Sequence, residues 1–168
     1  VDGVIYFTTN DPNNEFAYVE LTGVGLGREL TVAMTAGWNM ISINVIPGQE
    51  FWSGEEGPDV ILMTDQLRID EDNHRVELLK DQLGFFYVPG WDGFNNIDNW
   101  QPTEGYQIKV IEECEAVWSG VPIPPDTEIP LHRQWNIVAY LPTYELDASA
   151  PDYYVLSPIL DNLQMAKD

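Results

Sequence analysis

The sequence predicts an all-β protein: two tandem β-sandwich or barrel-like repeats carrying one or two short helices. Short runs rich in Val, Ile, Tyr, Phe, Thr and Trp recur along the chain, separated by Gly, Pro, Asn and Asp punctuation. Helical periodicity is confined to two brief stretches. Two separate sequence matches share one spacing of 97 residues, the mark of an internal repeat.

Taken in order, Val4 to Thr9 reads as a strand, Asn10-Asp11-Pro12-Asn13-Asn14 as a turn, and Phe16 to Leu21 as the hairpin partner. Leu30 to Met34 follows, then Trp38 to Val45. The latter alternates, with Met40, Ser42 and Asn44 on one face and Ile41, Ile43 and Val45 on the other. Val76 to Lys80 and Phe85 to Val88 flank the turn Asp81-Gln82-Leu83-Gly84. Tyr106 to Ile111, Ala116 to Ser119 and Trp135 to Leu141 complete the strands. Asp59 to Leu67 and Ser157 to Gln164 read as short helices, the second with Ser157 as N-cap and Pro158 at the first helical position.

The repeat rests on two matches at one offset. Thr22-Gly23-Val24-Gly25-Leu26 aligns with Ser119-Gly120-Val121-Pro122-Ile123, and Trp38-Asn39-Met40-Ile41 with Trp135-Asn136-Ile137-Val138. A further pair suggests where the repeats begin and end: Gly84-Phe85-Phe86-Tyr87-Val88 resembles Gly3-Val4-Ile5-Tyr6-Phe7, and Leu79-Lys80-Asp81 resembles Ala166-Lys167-Asp168. The repeats then cover residues 1–83 and 84–168. In the middle of the chain Lys80-Asp81 leads into a hairpin, whereas its counterpart, Leu163-Gln164-Met165-Ala166-Lys167, has no following strand. A strand without a partner exposes unpaired backbone groups that invite another strand. The best match is Val4-Ile5-Tyr6-Phe7. Pairing within the chain closes a ring, and pairing between copies builds an open fibre. In the remaining reading, the chain is cut from a longer tandem array.

Composition narrows the function. With 44% hydrophobic residues, six Trp, eight Tyr and six Phe among 168, the chain can bury a core and is not disordered. Seven Lys+Arg against 28 Asp+Glu give a net charge of −21 and a pI near 4.1. Nucleic-acid phosphates and anionic membranes would be repelled. No run approaches the roughly 20 apolar residues a membrane helix needs. The carboxylates read either as a solvated, self-repelling surface or as charge neutralised by Ca²⁺ or a basic partner. A lone Cys114 makes no internal disulfide. The chain opens on Val1 with no signal-peptide pattern, which reads as a processed product or an excised piece.

Catalytic constellations are thin. His74 lies in a charged loop, His132 beside Arg133, and no Gly-x-Ser-x-Gly elbow is present. Glu112, Glu113 and Glu115 surround Cys114 and disfavour its thiolate. Carboxylates are too abundant for any pair to stand out as a glycosidase centre. Structural Ca²⁺ is the better chemical expectation, at Asp70 and Asp72 or at Asp92 and Asp98, against solvated turns as the plainer reading. Neither loop fits an EF-hand. Trp52, Trp91, Phe94 and Trp100 fall in loop-like stretches where a ring could stack on a sugar or simply cover the sandwich. Trp38 and Trp135, at equivalent strand positions, read as core.

These segments resemble modules of large secreted bacterial surface proteins. Residues 10–14 with Val19-Glu20-Leu21-Thr22-Gly23-Val24-Gly25 resemble the final hairpin of an immunoglobulin-like choice-of-anchor domain. Gly37-Trp38-Asn39-Met40-Ile41-Ser42, Phe86-Tyr87-Val88-Pro89, Phe94-Asn95-Asn96-Ile97, Trp100 and Glu104-Gly105-Tyr106-Gln107-Ile108-Lys109-Val110 resemble a Gly-Trp-Asn-type β module that occurs in tandem there. Gln134-Trp135-Asn136-Ile137-Val138 restarts it, with Gln134 in place of the usual Gly. The resemblance implies surface or anchoring parts without catalytic residues.

The expectation is therefore a non-enzymatic extracellular structural module, a subunit or segment of a cell-surface or filament-like assembly. Its partners would be other copies or neighbouring modules, with no nucleic acid, no membrane insertion and no cofactor beyond Ca²⁺. The alternative is an adhesion module that binds glycan or protein through the loops Pro47 to Pro58 and Pro89 to Pro102.

Overall fold

The computed structural model describes residues 2–8, 16–22, 27–151 and 153–167. The turn at residues 10–14, the match at 23–26 and the terminal Asp168 lie outside them. The chain is all-β, with strands in three sheets and a few short helical turns. β1 (Asp2–Thr8) and β2 (Phe16–Thr22) form a two-stranded antiparallel hairpin. A three-stranded sheet has the order β3 (Arg28–Met34), β10 (Cys114–Pro122), β5 (Val45–Pro47). A five-stranded sheet has the order β4 (Gly37–Ile41), β9 (Tyr106–Val110), β6 (Val76–Lys80), β7 (Phe86–Val88), β8 (Phe94–Asn95).

The two larger sheets share one core. Met34, Val45, Ala116 and Trp118 from the first meet Ile41, Val76, Leu79, Tyr87, Tyr106, Ile108 and Val110 from the second. Alternation puts them there: β9 buries Tyr106, Ile108 and Val110 while Gln107 and Lys109 point outward. One end of the core is closed by α1 (Val60–Thr64) and the 3₁₀ turn Asp65–Leu67, whose Val60, Met63 and Leu67 recur at helical spacing and are fully buried. Asp59 caps α1, its Oδ1 accepting from the backbone N–H of Ile61 at 2.7 Å and of Leu62 at 3.3 Å. Trp118 ties the helix to the sheet, its Nε1 donating to the Met63 carbonyl at 3.0 Å.

Several expectations need correction. A division between residues 83 and 84 cuts both sheets, because β6 pairs with β7 and β10 lies between β3 and β5. The run Trp38 to Val45 is two strands in two sheets, with residues 42–44 crossing between them. Trp135 to Leu141 forms no strand and makes only a bridge at Val138. The C-terminal helix is a 3₁₀ segment, Tyr154–Asn162, with Pro158 inside it and Tyr153 rather than Ser157 at its start.

Candidate functional site

Two segments that no further strand pairs lie towards the two ends of the described residues. In the hairpin, Val4 faces Glu20, Ile5 faces Val19, Tyr6 faces Tyr18 and Phe7 faces Ala17. Tyr6 and Tyr18 meet across the strands with ring centroids 6.3 Å apart. Alternation sends Val4 and Tyr6 to one face and Ile5 and Phe7 to the other, and all four are exposed, Tyr6 at 75%. Among the described residues β1 and β2 pair only with each other. A lone hairpin is marginal in water, and among the described residues no third strand joins either of its outer edges.

At the other end, residues 163–167 run without a strand partner among the described residues, and Gln164, Met165, Ala166 and Lys167 are exposed. Closure of Val4–Phe7 onto Leu163–Lys167 within the chain, one of the expected arrangements, is not found: Val4–Phe7 pair with β2.

Between these ends, two turns echo one another. Asn39 Oδ1 accepts from the Thr35 N–H at 3.0 Å, and its Nδ2 donates to the carbonyls of Thr35 (2.8 Å) and Gly37 (3.1 Å). Asn136 Oδ1 accepts from the His132 N–H at 2.8 Å, and its Nδ2 donates to the carbonyls of His132 (2.9 Å) and Gln134 (3.1 Å). The third residue of each turn is left-handed, Gly37 at φ 100° and Gln134 at φ 89°. Sequence matching found these positions, and the shared side-chain bonds explain why Asn recurs there.

The segment after Asn136 docks on the two larger sheets. Gly105 N–H donates to the Ile137 carbonyl at 2.9 Å, Ala139 N–H to the Thr103 carbonyl at 3.1 Å, and Tyr140 N–H to Ser42 Oγ at 3.0 Å. Ile123, Ala139 and Leu141, with Ile129 against them, make a small second core.

The four loop aromatics have different surroundings. Trp100 is buried at 1% exposure, stacked 4.0 Å from Tyr106 and 6.0 Å from Trp118, so it belongs to the core. Trp52 is half-buried and donates from Nε1 to the Pro47 carbonyl at 3.0 Å. Trp52 and Trp100 nevertheless line one cleft of about 220 Å³ with Glu56, Pro58, Gln101 and Pro102. Trp91 and Phe94 stay exposed and gather around Phe86, 6.2 and 5.3 Å away. Trp38 and Trp135 are not core: they are 52% and 70% exposed, and Lys80 Nζ lies 5.1 Å over the Trp38 ring.

Among the described residues no group of three or more His, Cys, Asp or Glu is placed to hold a metal. Asp70 instead closes its own loop, its carboxylate accepting from the N–H groups of Asp72 and Asn73 and from Asn73 Nδ2. The Asn73 side chain and these N–H bonds hold its carboxyl below the usual range. Asp92 occupies a left-handed turn at φ 55°, and Asp98 is exposed. Burial, with Glu112 adding to it, pushes the Cys114 thiol up. Burial and the nearby Arg68 push the His74 imidazole down, while its Nδ1 accepts from the Val76 N–H at 3.0 Å.

No protein-family model, curated protein or solved structure matches the chain.

Proposed function

We propose that this chain is a non-enzymatic structural module of an extracellular, cell-surface or filament-like assembly, joined to its neighbours by β-strand pairing. The observation that carries the reading is the β1–β2 hairpin, with apolar side chains exposed on both faces and an edge of β1 that no strand among the described residues pairs. Such an edge is a template for another strand. Leu163–Lys167 of a neighbouring copy suits it by analogy with β6, which pairs with β7 through Leu79–Tyr87 and Lys80–Phe86. Transferred through the repeat, that register sets Ala166 against Tyr6 and Lys167 against Ile5. The resemblance to tandem secreted surface modules supports the extracellular setting. The net charge of −21 supports a well-solvated surface on which association is left to specific contacts.

Deleting residues 1–8 tests this. The parent chain is expected to form concentration-dependent oligomers in sedimentation and fibres or short chains in electron microscopy, and the truncated chain to stay monomeric. A parent that remains monomeric, or a truncation that assembles and melts like the parent, overturns the reading.

A second reading draws on the cleft shared by Trp52 and Trp100, which joins the two loops expected to bind a glycan. Saturable quenching of tryptophan fluorescence by a soluble oligosaccharide, lost in Trp52→Ala, would favour it over assembly.

A further inference from the structure

We infer that the cleft lined by β3, residues 42–44 and residues 140–145 binds one neutral sugar ring, stacked on tyrosine and bonded through its hydroxyls to Asn44. The site lies apart from the hairpin and from the Trp52–Trp100 cleft, and stands without either reading above.

Residues 42–44, which carry the chain from one sheet to the other, face two clefts. Ser42 and Asn44 line this one, of about 400 Å³, whereas Ile43 lines the one that holds Trp52 and Trp100. Small-molecule sites occupy roughly 300–1,000 Å³, so the volume suits a ligand of sugar size. Arg28 and Leu30 contribute from β3, and Tyr140, Tyr144 and Glu145 from the C-terminal segment.

Asn44 carries the inference. It is 6% exposed, its own carbonyl is taken by the Ile123 N–H, and no donor among the described residues reaches its Oδ1. A buried acceptor without a donor is costly, and a donor for it has to enter from the cleft. Its Nδ2 reaches the Pro142 carbonyl only at 3.4 Å, beyond the ordinary range of a hydrogen bond, and the terminal amide torsion is soft. The oxygen is thus free to turn towards an arriving hydroxyl. Tyr140 is held at both ends, its N–H on Ser42 Oγ at 3.0 Å and its hydroxyl on the Tyr144 carbonyl at 2.6 Å. A ring held so, 42% exposed, is a stacking surface that loses little freedom on binding. Tyr144, 58% exposed, adds a second ring.

Charge selects a neutral ligand. Arg28 opposes an ammonium group, while Glu145 and the chain's net charge of −21 oppose a carboxylate or phosphate. What remains is a molecule with both donors and acceptors and an apolar face. A pyranose is one: its hydroxyls bond Asn44, Glu145 and Arg28, and its C–H face covers a tyrosine ring.

The test titrates the full chain with the methyl glycosides of glucose, galactose and mannose while backbone amide NMR shifts are followed. At least one is expected to bind saturably, with Kd on the order of 1 mM, moving amides at 28–30, 42–44 and 140–145. Tyr144→Ala keeps the backbone carbonyl that Tyr140 uses and should weaken binding roughly fivefold. Asn44→Ala should weaken it roughly tenfold. Methyl glucuronide and glucosamine should bind more weakly than the neutral glycoside. No saturation by about 50 mM, shifts lying outside the cleft, tighter binding of either charged sugar, or unchanged affinity in Tyr144→Ala overturns the inference. Trp52→Ala and removal of residues 1–8 should leave the affinity as it is. A loss in Trp52→Ala assigns the binding to the other cleft and equally overturns it, while a failure of hairpin-driven assembly leaves these shifts in place.

Discussion

Gly105 and Ile137 touch so closely that no side chain fits between them: a β-carbon on Gly105 would lie 2.8 Å from Ile137 Cγ2 and 3.0 Å from the Val138 carbonyl oxygen. Glycine here is what lets the C-terminal segment lie against the approach to β9. Gly105→Ala is expected to cost about 1–3 kcal/mol through overpacking. Amide exchange should accelerate at 137–139 before it does in β6 or β9, and a chain whose 137–139 amides stay protected would refute the contact.

Gln134 holds the left-handed conformation that its counterpart Gly37 holds without strain. Gln134→Gly should therefore be neutral or stabilising by up to about 1 kcal/mol, whereas a Gly37→Ala change should destabilise by at least as much. Thermal melting of the two variants, read against the parent, checks the opposite signs.

Trp118→Phe removes the indole N–H that donates to the Met63 carbonyl, leaving Gln66 Nε2 at 3.3 Å as a donor to it, and shrinks a side chain at 1% exposure. Losing one hydrogen bond costs about 0.5–1.5 kcal/mol, with a cavity cost added to it. The expected result is a clear drop in denaturation midpoint with little change in denaturant slope.

His74 supplies a pH dependence whose sign follows from its surroundings. Its folded-state pKa is lowered by burial and by Arg68, so the folded state favours the neutral ring and binds fewer protons than the unfolded chain. Its contribution is intact above the unfolded pKa of about 6.5 and is lost as pH falls below it towards the folded value. Melting of His74→Gln compared with the parent should show the difference shrinking as pH drops from 7 to 5. A difference that stays constant across that window would place the imidazole in solvent.

Local pattern carried far in this chain where one sheet face was buried. β6 was legible residue for residue, Val76 to Lys80, because its apolar positions and the following Asp81 turn agree; Asp81 Oδ1 accepts from the N–H groups of Leu83 and Phe85, and Gly84 takes φ 92°. Pairing across the chain was not legible. Trp38 to Val45 alternates without a break, yet the chain changes sheets at 42–44, since β4 is claimed by β9 and β5 by β10. Trp135 to Leu141 has the same propensity as its counterpart but no ladder to join. Trp100 looked like a loop ring because its neighbours are polar; the Tyr106 face and Trp118 that enclose it come from distant strands. The repeated Asn was visible as a match, while its bonds to the turn required coordinates.

The pairing of Arg28 with Gly120 at one end of β3, and of Met34 with Cys114 at the other, means that the three-stranded sheet is finished only by β10, the last strand among the described residues. A ribosome has to release the β10 segment before β3 and β5 find the neighbour they share, and until then the nascent chain carries unmatched edges through the tunnel exit. So long a separation between partners slows folding, and the abundance of carboxylates along the waiting chain keeps nascent copies apart in the interval.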